Sequence, residues 1–307
     1  MKPSTTTLLL LATPAAAASC AKTFLQTATA YYLTSQKAGS PSSLSSLLST
    51  TPNNFLYLEN NILIPDWKRS SLLATPLVID FSRSIHDTTQ CATFTELVSA
   101  TSKHPYVVHT RMLFGPDLSL SLVESVVTDA GDWLFNATGT LNLIRDEKWD
   151  PIPSGRRESR SKIQGYADAY FDRFASANVS VPWGAPCLRV EGGVAVRGEM
   201  KTDKNKNGTA EECVMVWPVG IHVPYRRYVI DEEFGAVDVF VGFPGLDRTR
   251  SDQAVADSHF FRGEAGRIKY LHTASACWTA GCGLNGTVFG RRSLGVPVDN
   301  VANKTKA

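Results

Sequence analysis

The amino-acid sequence predicts an α+β protein made of two related modules in tandem. Neither half of the 307 residues shows the regular alternation of strands and helices that a parallel α/β sheet requires. A helix-like segment followed by several strand-like segments occurs before residue 145, and the same order starts again after residue 160. Between them lies a segment rich in Pro, Gly and Arg, which is typical of a linker. We therefore predict a signal peptide (1–18), a first module (19–145), a linker (146–159), a second module (160–277) and an irregular tail (278–307).

The first module begins with a predicted helix over residues 20–36, where apolar residues recur at helical spacing. Gly39-Ser40-Pro41 ends this helix, and a second, shorter helix is expected over 42–48. Strand-like segments follow at 54–58, 76–85, 92–98, 106–114 and 118–127. The turn sequence Gly115-Pro116-Asp117 joins the last two segments, which predicts a hairpin.

The second module repeats this order, with an amphipathic helix over 161–176 whose apolar face includes Tyr170 and Phe174. Strand-like segments follow at 187–190, 214–217, 227–230, 236–243, 258–261 and 267–274. The stretch from Arg83 to Asp87, which precedes a strand, matches the stretch from Arg227 to Asp231, which also precedes a strand. The order of elements indicates an internal repeat more clearly than the individual residues do.

The first residues are typical of a secretory signal peptide. Lys2 is followed by a short apolar segment and by Ala16-Ala17-Ala18, a small-residue cleavage site, and the apolar run is too short to span a bilayer. The polar C-terminus argues against a GPI anchor. Five N-glycosylation sequons agree with export, and they begin at Asn136, Asn178, Asn207, Asn285 and Asn303. We predict a secreted glycoprotein.

The six cysteines of this exported chain predict disulfide bonds. Six cysteines allow about 15 connectivities. We favour Cys20–Cys91, Cys187–Cys213 and Cys277–Cys282, because each bond then stays within one module or the tail. The spacings do not match a zinc site, so no metal is expected.

Composition and motifs exclude several classes of function. The net charge of +2 gives no basic footprint for nucleic acid. The G-x-G-x-x-G match at 281–286 lacks the flanking strand and helix of a dinucleotide site. The lysine-rich stretch from Asp203 matches only the first half of a calcium loop and lacks its final Glu. There is no G-x-S-x-G or H-E-x-x-H motif, and no cofactor is expected.

Several stretches resemble a group of fungal secreted proteins that carry a domain of unknown function and NTF2-like (SnoaL-like) modules. They cover most of the chain from Cys20 to Cys277, and they are 58–61, 88–94, 131–139, 149–153, 181–184, 227–231 with 235–240, and 270–273. The resemblance implies fungal origin, secretion and two tandem NTF2-like cones, each a curved antiparallel sheet around helices. It brings no catalytic residues. The segment 201–212 and the tail after Cys277 depart from the family pattern.

Candidate site residues are polar side chains on otherwise apolar strand faces, because a polar group buried without a partner is costly. Strand alternation places Glu124 with Leu120, Leu122 and Val126, and it places Tyr270 and His272 with Ile268. We expect these faces to line the concave interior of each module. The catalytic candidates are Glu124, His109, Asp238, Tyr270 and His272. The binding candidates are Arg111, Arg83, Asp87, Arg227, Asp231 and Trp183; for Arg83, Asp87, Arg227 and Asp231 a structural ion pair or turn is the alternative.

Two functions follow from this pattern. In the first, one module is a cofactor-free isomerase, lyase or cyclase in which Glu124 or Asp238 is the base and His109, Tyr270 or His272 polarises the substrate. In the second, the protein is a non-catalytic secreted ligand-binding or host-interaction protein. The expected partner is a small organic molecule or a carbohydrate. A convergent carboxylate–His pair in an open cavity would favour the first function, and pockets filled by Phe and Leu would favour the second.

Overall fold

The computed structural model describes residues 20–49, 55–195, 213, 217–250 and 252–282. The predicted signal peptide, the sequons at Asn207, Asn285 and Asn303, the segment 201–212 and the tail beyond residue 282 lie outside the described residues.

The first half contains two helices and one six-stranded sheet. The helices are α1 (Lys22–Ala38) and α2 (Ser42–Ser45). The strands are β1 (Leu56–Glu59), β2 (Ile62–Leu63), β3 (Phe81–Asp87), β4 (Ala92–Ser99), β5 (Tyr106–Phe114) and β6 (Leu120–Thr128). Their order in the sheet is β2-β1-β6-β5-β4-β3, and every pair is antiparallel except the parallel pair β1–β6.

The second half repeats this topology. After α3 (Ala137–Ile144) come α4 (Arg160–Ala175) and the strands β7 (Trp183–Glu191), β8 (Val194–Ala195), β9 (Arg227–Asp231), β10 (Ala236–Phe243), β11 (Val255–Glu264) and β12 (Arg267–Ala276). The sheet order is β8-β7-β12-β11-β10-β9, and β7–β12 is the parallel pair. Two six-stranded mixed sheets with few helices confirm the α+β class and show that the repeat extends to strand order.

The two sheets pack against each other, and each carries its own helix on the opposite face. Leu25 and Tyr32 of α1 pack on one face of the first sheet, where they meet Leu97 and Val108. Tyr170 and the other large side chains of α4 cover one face of the second sheet. A third apolar cluster fills the space between the sheets and includes Ile85, Phe94, Val229, Phe240 and Phe260. Both faces of each sheet are therefore buried.

The edge strands β3 and β9 are joined by a reciprocal pair of aspartates. Asp87 accepts a hydrogen bond from the backbone N–H of Ile230 at 3.0 Å, and Asp231 accepts one from the backbone N–H of His86 at 3.0 Å. Each carboxylate also meets a cation at the start of the other half's helix: Arg160 lies 2.5 Å from Asp87 and Lys22 lies 3.6 Å from Asp231. Two exposed sheet edges are closed in this way.

The three predicted disulfide bonds are confirmed: Cys20–Cys91, Cys187–Cys213 and Cys277–Cys282. Every bond lies within one half, so no disulfide among them joins the two halves. Three disulfides are compatible with an extracellular protein. Within the described parts of the chain, no helix combines the length and apolarity needed to cross a bilayer.

Two β-bulges change the alternation that the sequence suggests. The register between β5 and β6 shifts at Leu113/Phe114, and the register between β11 and β12 shifts at Arg262/Gly263. As a result Leu120 and Ile268 pack in the cores under α1 and α4 rather than beside Glu124 and His272. Their expected placement was wrong, because a bulge inserts one residue and reverses the side chains beyond it.

Candidate active site

The predicted catalytic residues lie between the two sheets rather than under the helices. Glu124, His109, Asp238, Tyr270 and His272 all face the other half, in a region that we call the inter-sheet layer. The expectation that these faces line the interior of each module is corrected accordingly. Both faces of each sheet are buried. Alternation along a strand shows which side chains share a face, but it does not show which face the helix covers.

Glu124 is held by two arginines, one from each half. Arg111 donates to its carboxylate at 2.7 and 3.2 Å, and Arg227 of β9 donates at 2.6 and 3.2 Å. Charge-assisted bonds of this kind stabilise the ionised carboxylate. A carboxylate with two guanidinium partners is poorly suited to accept a proton from a substrate.

His109, Ser258 and Asp238 form a hydrogen-bonded chain across the layer. His109 Nδ1 lies 2.8 Å from Ser258 Oγ, and Ser258 Oγ donates to Asp238 Oδ1 at 2.7 Å. Burial raises the pKa of Asp238 well above its usual value and lowers the pKa of His109, so burial favours the neutral form of both side chains. Glu96 lies 3.6 Å from His109 Nε2, but the order Ser258–His109–Glu96 is not a nucleophile triad, because Ser258 is completely buried.

His272 lies between two carboxylates. Its Nδ1 is 2.8 Å from Glu96 and its Nε2 is 2.8 Å from Glu147, and Arg83 contacts the same two acids at 3.5 and 2.8 Å. Burial lowers the pKa of His272, but the charges of Glu147 and Glu96 more than offset this and raise it to about 9. The imidazolium therefore links β4 of the first half, the linker and β12.

The predicted binding residues separate into two groups. Asp87, Arg227 and Asp231 make contacts between the halves, while Arg111 pairs with Glu124 of its own half and Arg83 pairs with Glu96 and with Glu147 of the linker. Ion pairs of this kind are the structural alternative foreseen for Arg83, Asp87, Arg227 and Asp231. Trp183 lies elsewhere, beside Tyr170 on the α4 side of the second sheet, with the ring centroids 6.0 Å apart. Of the predicted site residues, Trp183 alone points to the space under that helix.

A second cluster of charged side chains lies under α4, and the sequence analysis missed it. We call it the α4 cluster, and its members are Tyr170, Arg189, Glu191, Asp257 and His259. Each of these side chains is 6% exposed or less. The four charged members sit two residues apart on β7 and β11, so each pair points to the same face. Charged residues at i and i+2 in strands that are otherwise apolar were the available signal.

The four charged residues form two pairs. His259 Nδ1 lies 3.1 Å from Asp257 Oδ2, and Ser275 donates to the other oxygen of Asp257 at 2.6 Å. Arg189 Nη2 forms an ion pair with Glu191 Oε1. The remaining oxygen of Glu191 accepts hydrogen bonds from Trp133 and Thr273, both at 3.1 Å. One oxygen of each carboxylate is thus held by neighbouring hydrogen-bond donors. The other oxygen faces Arg189 in the Glu191 pair and His259 in the Asp257 pair.

Tyr170 connects the two pairs. Its ring centroid is 5.0 Å from the His259 ring and 5.9 Å from the Arg189 guanidinium. Burial raises the pKa of Tyr170 above its usual value, with smaller contributions from Arg189, Glu191 and Asp257. The side chain is therefore a neutral phenol that can donate a proton or a hydrogen bond.

Several buried polar atoms of the α4 cluster hold no hydrogen-bond partner among the described residues. They include Arg189 Nε and Nη1, Glu191 Oε1, and both members of the His259–Asp257 contact, whose charges pair without an aligned hydrogen bond. Buried polar atoms in folded proteins are nearly always hydrogen-bonded to protein groups or to ordered water. Within the described ranges, no group of three or more His, Cys, Asp and Glu side chains is arranged to hold a metal ion.

The fold and the site define a disulfide-bonded α+β protein with two repeated sheets and one charged cluster under a helix. The family model described as Domain of unknown function (DUF8021) matches residues 156–275. The match therefore spans α4 and the second sheet as far as Ser275, and it includes every member of the α4 cluster. No curated protein matches this chain.

Proposed function

We propose that this chain is an exported protein whose second half binds a small organic molecule and moves a proton on it without a cofactor, as an isomerase, lyase or cyclase. The observation that carries the proposal is the α4 cluster. It joins a carboxylate–His pair, a neutral phenol and an incompletely bonded arginine in one buried place.

The topology supports the further proposal that both halves are NTF2-like modules. Each half has a helix on one face of a bent mixed sheet with the order 2-1-6-5-4-3, in which the first strand runs parallel to the last. The resemblance implies a fungal secreted protein and a pocket between helix and sheet. The α4 cluster occupies that position in the second half.

The chemistry assigns a role to each side chain. His259, oriented by Asp257, removes a proton from a carbon next to a carbonyl group, and the carboxylate of Asp257 stabilises the imidazolium that forms. The negative charge that develops on the carbonyl oxygen is stabilised by Arg189 and by the Tyr170 hydroxyl. His259 then returns the proton to the substrate at the same or another atom. The base proposed here is the Asp257–His259 pair, in place of Glu124 or Asp238.

Export is supported by two independent features. All six cysteines are paired in disulfide bonds, which form in oxidising compartments. The two described sequon asparagines, Asn136 and Asn178, are both exposed and so are open to glycosylation. We therefore propose an extracellular glycoprotein.

The first half favours the second, non-catalytic function for its own part of the chain. The space between α1 and its sheet is filled by apolar side chains, including Leu25, Leu97, Val108 and Met112. The buried polar side chains beside them, Gln36, Thr110 and Ser125, are uncharged, unlike Arg189, Glu191 and Asp257 under α4. We propose that the first half is a scaffold or an interaction module and that ligand binding belongs to the second half.

The experiment is a ligand search with variants in both halves. The glycosylated protein would be screened by thermal shift and native mass spectrometry against small organic molecules and soluble sugars. We expect a ligand whose conversion is lost in His259→Gln and Asp257→Asn but kept in Thr110→Val, the matched change under α1. Conversion that survives both second-half changes would contradict the proposal, and so would a bound molecule that is displaced only by first-half changes.

A further inference from the structure

We infer that the exported protein is cut after Arg157 by an endoprotease that recognises paired basic residues. The chain that ends at Arg157 and the chain that begins at Glu158 then remain together as one non-covalent protein. The inference goes beyond the proposed ligand and reaction, neither of which enters it. It rests on the proposed export, because the protease meets the chain in the secretory pathway. Three features carry it: the exposure of the linker, the surroundings of the basic pair and the contacts between the halves.

The linker is an exposed connection between the two halves. It lies between the end of α3 at Ile144 and the start of α4 at Arg160, and its one regular element is a short 3-10 helix, Ser154–Arg156. All five residues from 153 to 157 are exposed, and a Cβ atom at Gly155 would have open space around it. Exposed segments with small and polar residues are preferred sites of proteolysis.

The side chains of Arg156 and Arg157 are held weakly. They are 67% and 36% exposed, and their ion pairs with Glu264 and Glu233 are 3.4 and 3.8 Å long. Exposed ion pairs contribute little to stability, because water and salt screen them. The one closer contact is from Arg157 Nε to the backbone carbonyl of Ile152, at 2.8 Å. A protease that offers carboxylates in two adjacent subsites can therefore take over both guanidinium groups.

Two further basic pairs in the described residues, at 68–69 and 226–227, are embedded in the fold. The pair 68–69 is followed at once by Ser70, which is 4% exposed. In the pair 226–227 the second arginine is the first residue of β9, so the bond after it lies in a sheet. The pair 291–292 lies outside the described residues. Susceptibility to proteolysis follows the burial and hydrogen bonding of the backbone, which favours the pair 156–157 over the other two described pairs.

Cleavage requires local opening of the linker and not the unfolding of either half. The 3-10 helix is closed by two backbone hydrogen bonds, of 2.8 and 3.4 Å. Beyond the bond that is cut, Glu158 accepts hydrogen bonds from the backbone N–H of Gly266 and from the Tyr166 hydroxyl. Folded proteins release small sets of contacts like these without global unfolding. Water then adds to the peptide bond, so Arg157 gains a carboxylate and Glu158 gains an ammonium group.

The halves keep their mutual contacts after the cut, because the contacts of the inter-sheet layer and of the edge strands do not involve residues 153–157. Asp87 and Asp231 still join β3 to β9, and Glu124 still binds Arg227. Each of the three disulfide bonds lies within one half, so none of them crosses the cut. The two chains are therefore held by non-covalent contacts and separate when the protein is denatured, with or without reductant.

The test is secretion of the full-length chain from a eukaryotic host that contains such a protease and from the same host without it. From the first host alone we expect two chains on denaturing electrophoresis, the second beginning Glu158-Ser159-Arg160. Both chains should elute in one peak on size-exclusion chromatography of the native protein. An intact chain in the medium, cuts at other bonds alone, or chains that separate under native conditions would overturn the inference. Absence of the protein from both media would contradict the proposed export, on which the inference rests.

Single substitutions assign the bond that is cut. Arg157→Gln should abolish cleavage, because it removes the guanidinium next to the bond, and Arg69→Gln in the pair 68–69 should be cut like the wild type. Tyr166→Phe releases one of the two contacts of Glu158 and should be cut faster. Equal melting temperatures show that the variants are folded. Cleavage that persists in Arg157→Gln or is lost in Arg69→Gln would overturn the assignment, and so would a Tyr166→Phe protein that is cut no faster.

Discussion

The two halves share one topology, but they fill the space between helix and sheet with different chemistry. Tyr32 and Tyr170 each lie ten residues after the first residue of α1 or α4. In the first half the Tyr32 hydroxyl lies 2.8 Å from Thr110, which lies 2.8 Å from Ser125. In the second half the position opposite Tyr170 is His259. The chain of hydroxyls in one half thus corresponds to a carboxylate–imidazole contact in the other.

Strand register shows which positions correspond. Thr110 pairs with Ser125 as His259 pairs with Thr273, and Glu59 and Glu191 occupy the same place on the parallel strand. By the same register three positions that hold Tyr, Val and Thr in the first half hold Arg, Asp and His in the second. The equivalent pairs are Tyr57 and Arg189, Val108 and Asp257, and Thr110 and His259.

The two halves also differ in how completely their buried polar atoms are hydrogen-bonded. In the first half the hydroxyls satisfy one another, whereas Arg189 keeps two unpartnered nitrogens among the described residues. Buried charges that are incompletely bonded lower stability, and they are retained where they serve a function. The contrast agrees with the proposal that the first half is a scaffold and that the second half carries the site.

The largest loss of stability is expected from a substitution at the contact between the two halves. Asp87 is completely buried, accepts two hydrogen bonds from Arg160 and also accepts from three backbone N–H groups. Asp87→Ala leaves these donors unpaired and should lower the free energy of unfolding by about 3–5 kcal/mol, measured by chemical denaturation. Asp231→Ala, its counterpart with a weaker cation contact, should cost about half as much. Equal losses would show that the two contacts are equivalent.

Stability should fall in alkaline solution because of His272. Its folded-state pKa of about 9 lies above the unfolded value of 6.5, so its contribution is complete below pH 6.5 and is lost as pH rises through 9. The loss is on the order of 3 kcal/mol. The groups that face it are Glu96, Glu147 and Arg83.

The comparison that isolates this effect is between the wild type and His272→Gln. Denaturation between pH 7 and 10 should show a steeper loss in the wild type, because the glutamine side chain of the variant does not titrate. Parallel curves for the two proteins would mean that other groups cause the alkaline loss.

Replacing three residues of the second half by their counterparts from the first half should stabilise the protein and abolish ligand binding. The triple change Asp257→Val, His259→Thr and Ser275→Val introduces the residues found at the equivalent positions of the first half. Replacing a buried ion pair by apolar groups is neutral or stabilising by about 1–4 kcal/mol. We expect a gain of about 1 kcal/mol by denaturation. A folded but destabilised variant would show that these charges support the fold.

The smallest expected change in stability distinguishes the sequon at Asn136 from the sequon at Asn178. Asn136 caps α3 by accepting a hydrogen bond from the backbone N–H of Gly139 at 2.8 Å, and Asn178 lies beyond the end of α4, outside any described helix. Asn136→Gln and Asn178→Gln should each increase electrophoretic mobility by the loss of one glycan. Only Asn136→Gln should also lower stability, by about 1 kcal/mol. Unchanged mobility in both variants of protein secreted from a eukaryotic host would argue against glycosylation at these sites.

Much of the fold could be predicted from the sequence, because apolar periodicity and turn residues mark each element. The predicted strands 106–114 and 236–243 coincide with β5 and β10, and the long helices shift by two residues at most. The helix α3, the short strand β8 and the parallel pairs were not predicted. Parallel pairing joins residues that are more than 60 positions apart in the first half, and local patterns do not encode such contacts.

The candidate site could not be located in the same way. Alternation correctly grouped Glu124 with Val126 and Tyr270 with His272, but it could not show which group lies under a helix. Arg189, Glu191, Asp257 and His259 appear in the sequence as ordinary charged residues of strands. Their burial and incomplete bonding depend on α4 packing over them, which is a tertiary contact.

The inter-sheet layer also decides which partner each half can accept. By strand register Glu96 corresponds to Phe240, and His272 corresponds to Glu124. If two copies of the first half packed against each other as the two halves do, Glu96 of one copy would lie against Glu124 of the other. Two carboxylates buried away from water would repel each other. Two copies of the second half would place His272 against Phe240 and leave its charge unmatched. The two halves are therefore not interchangeable in this interface, although their strands have the same order.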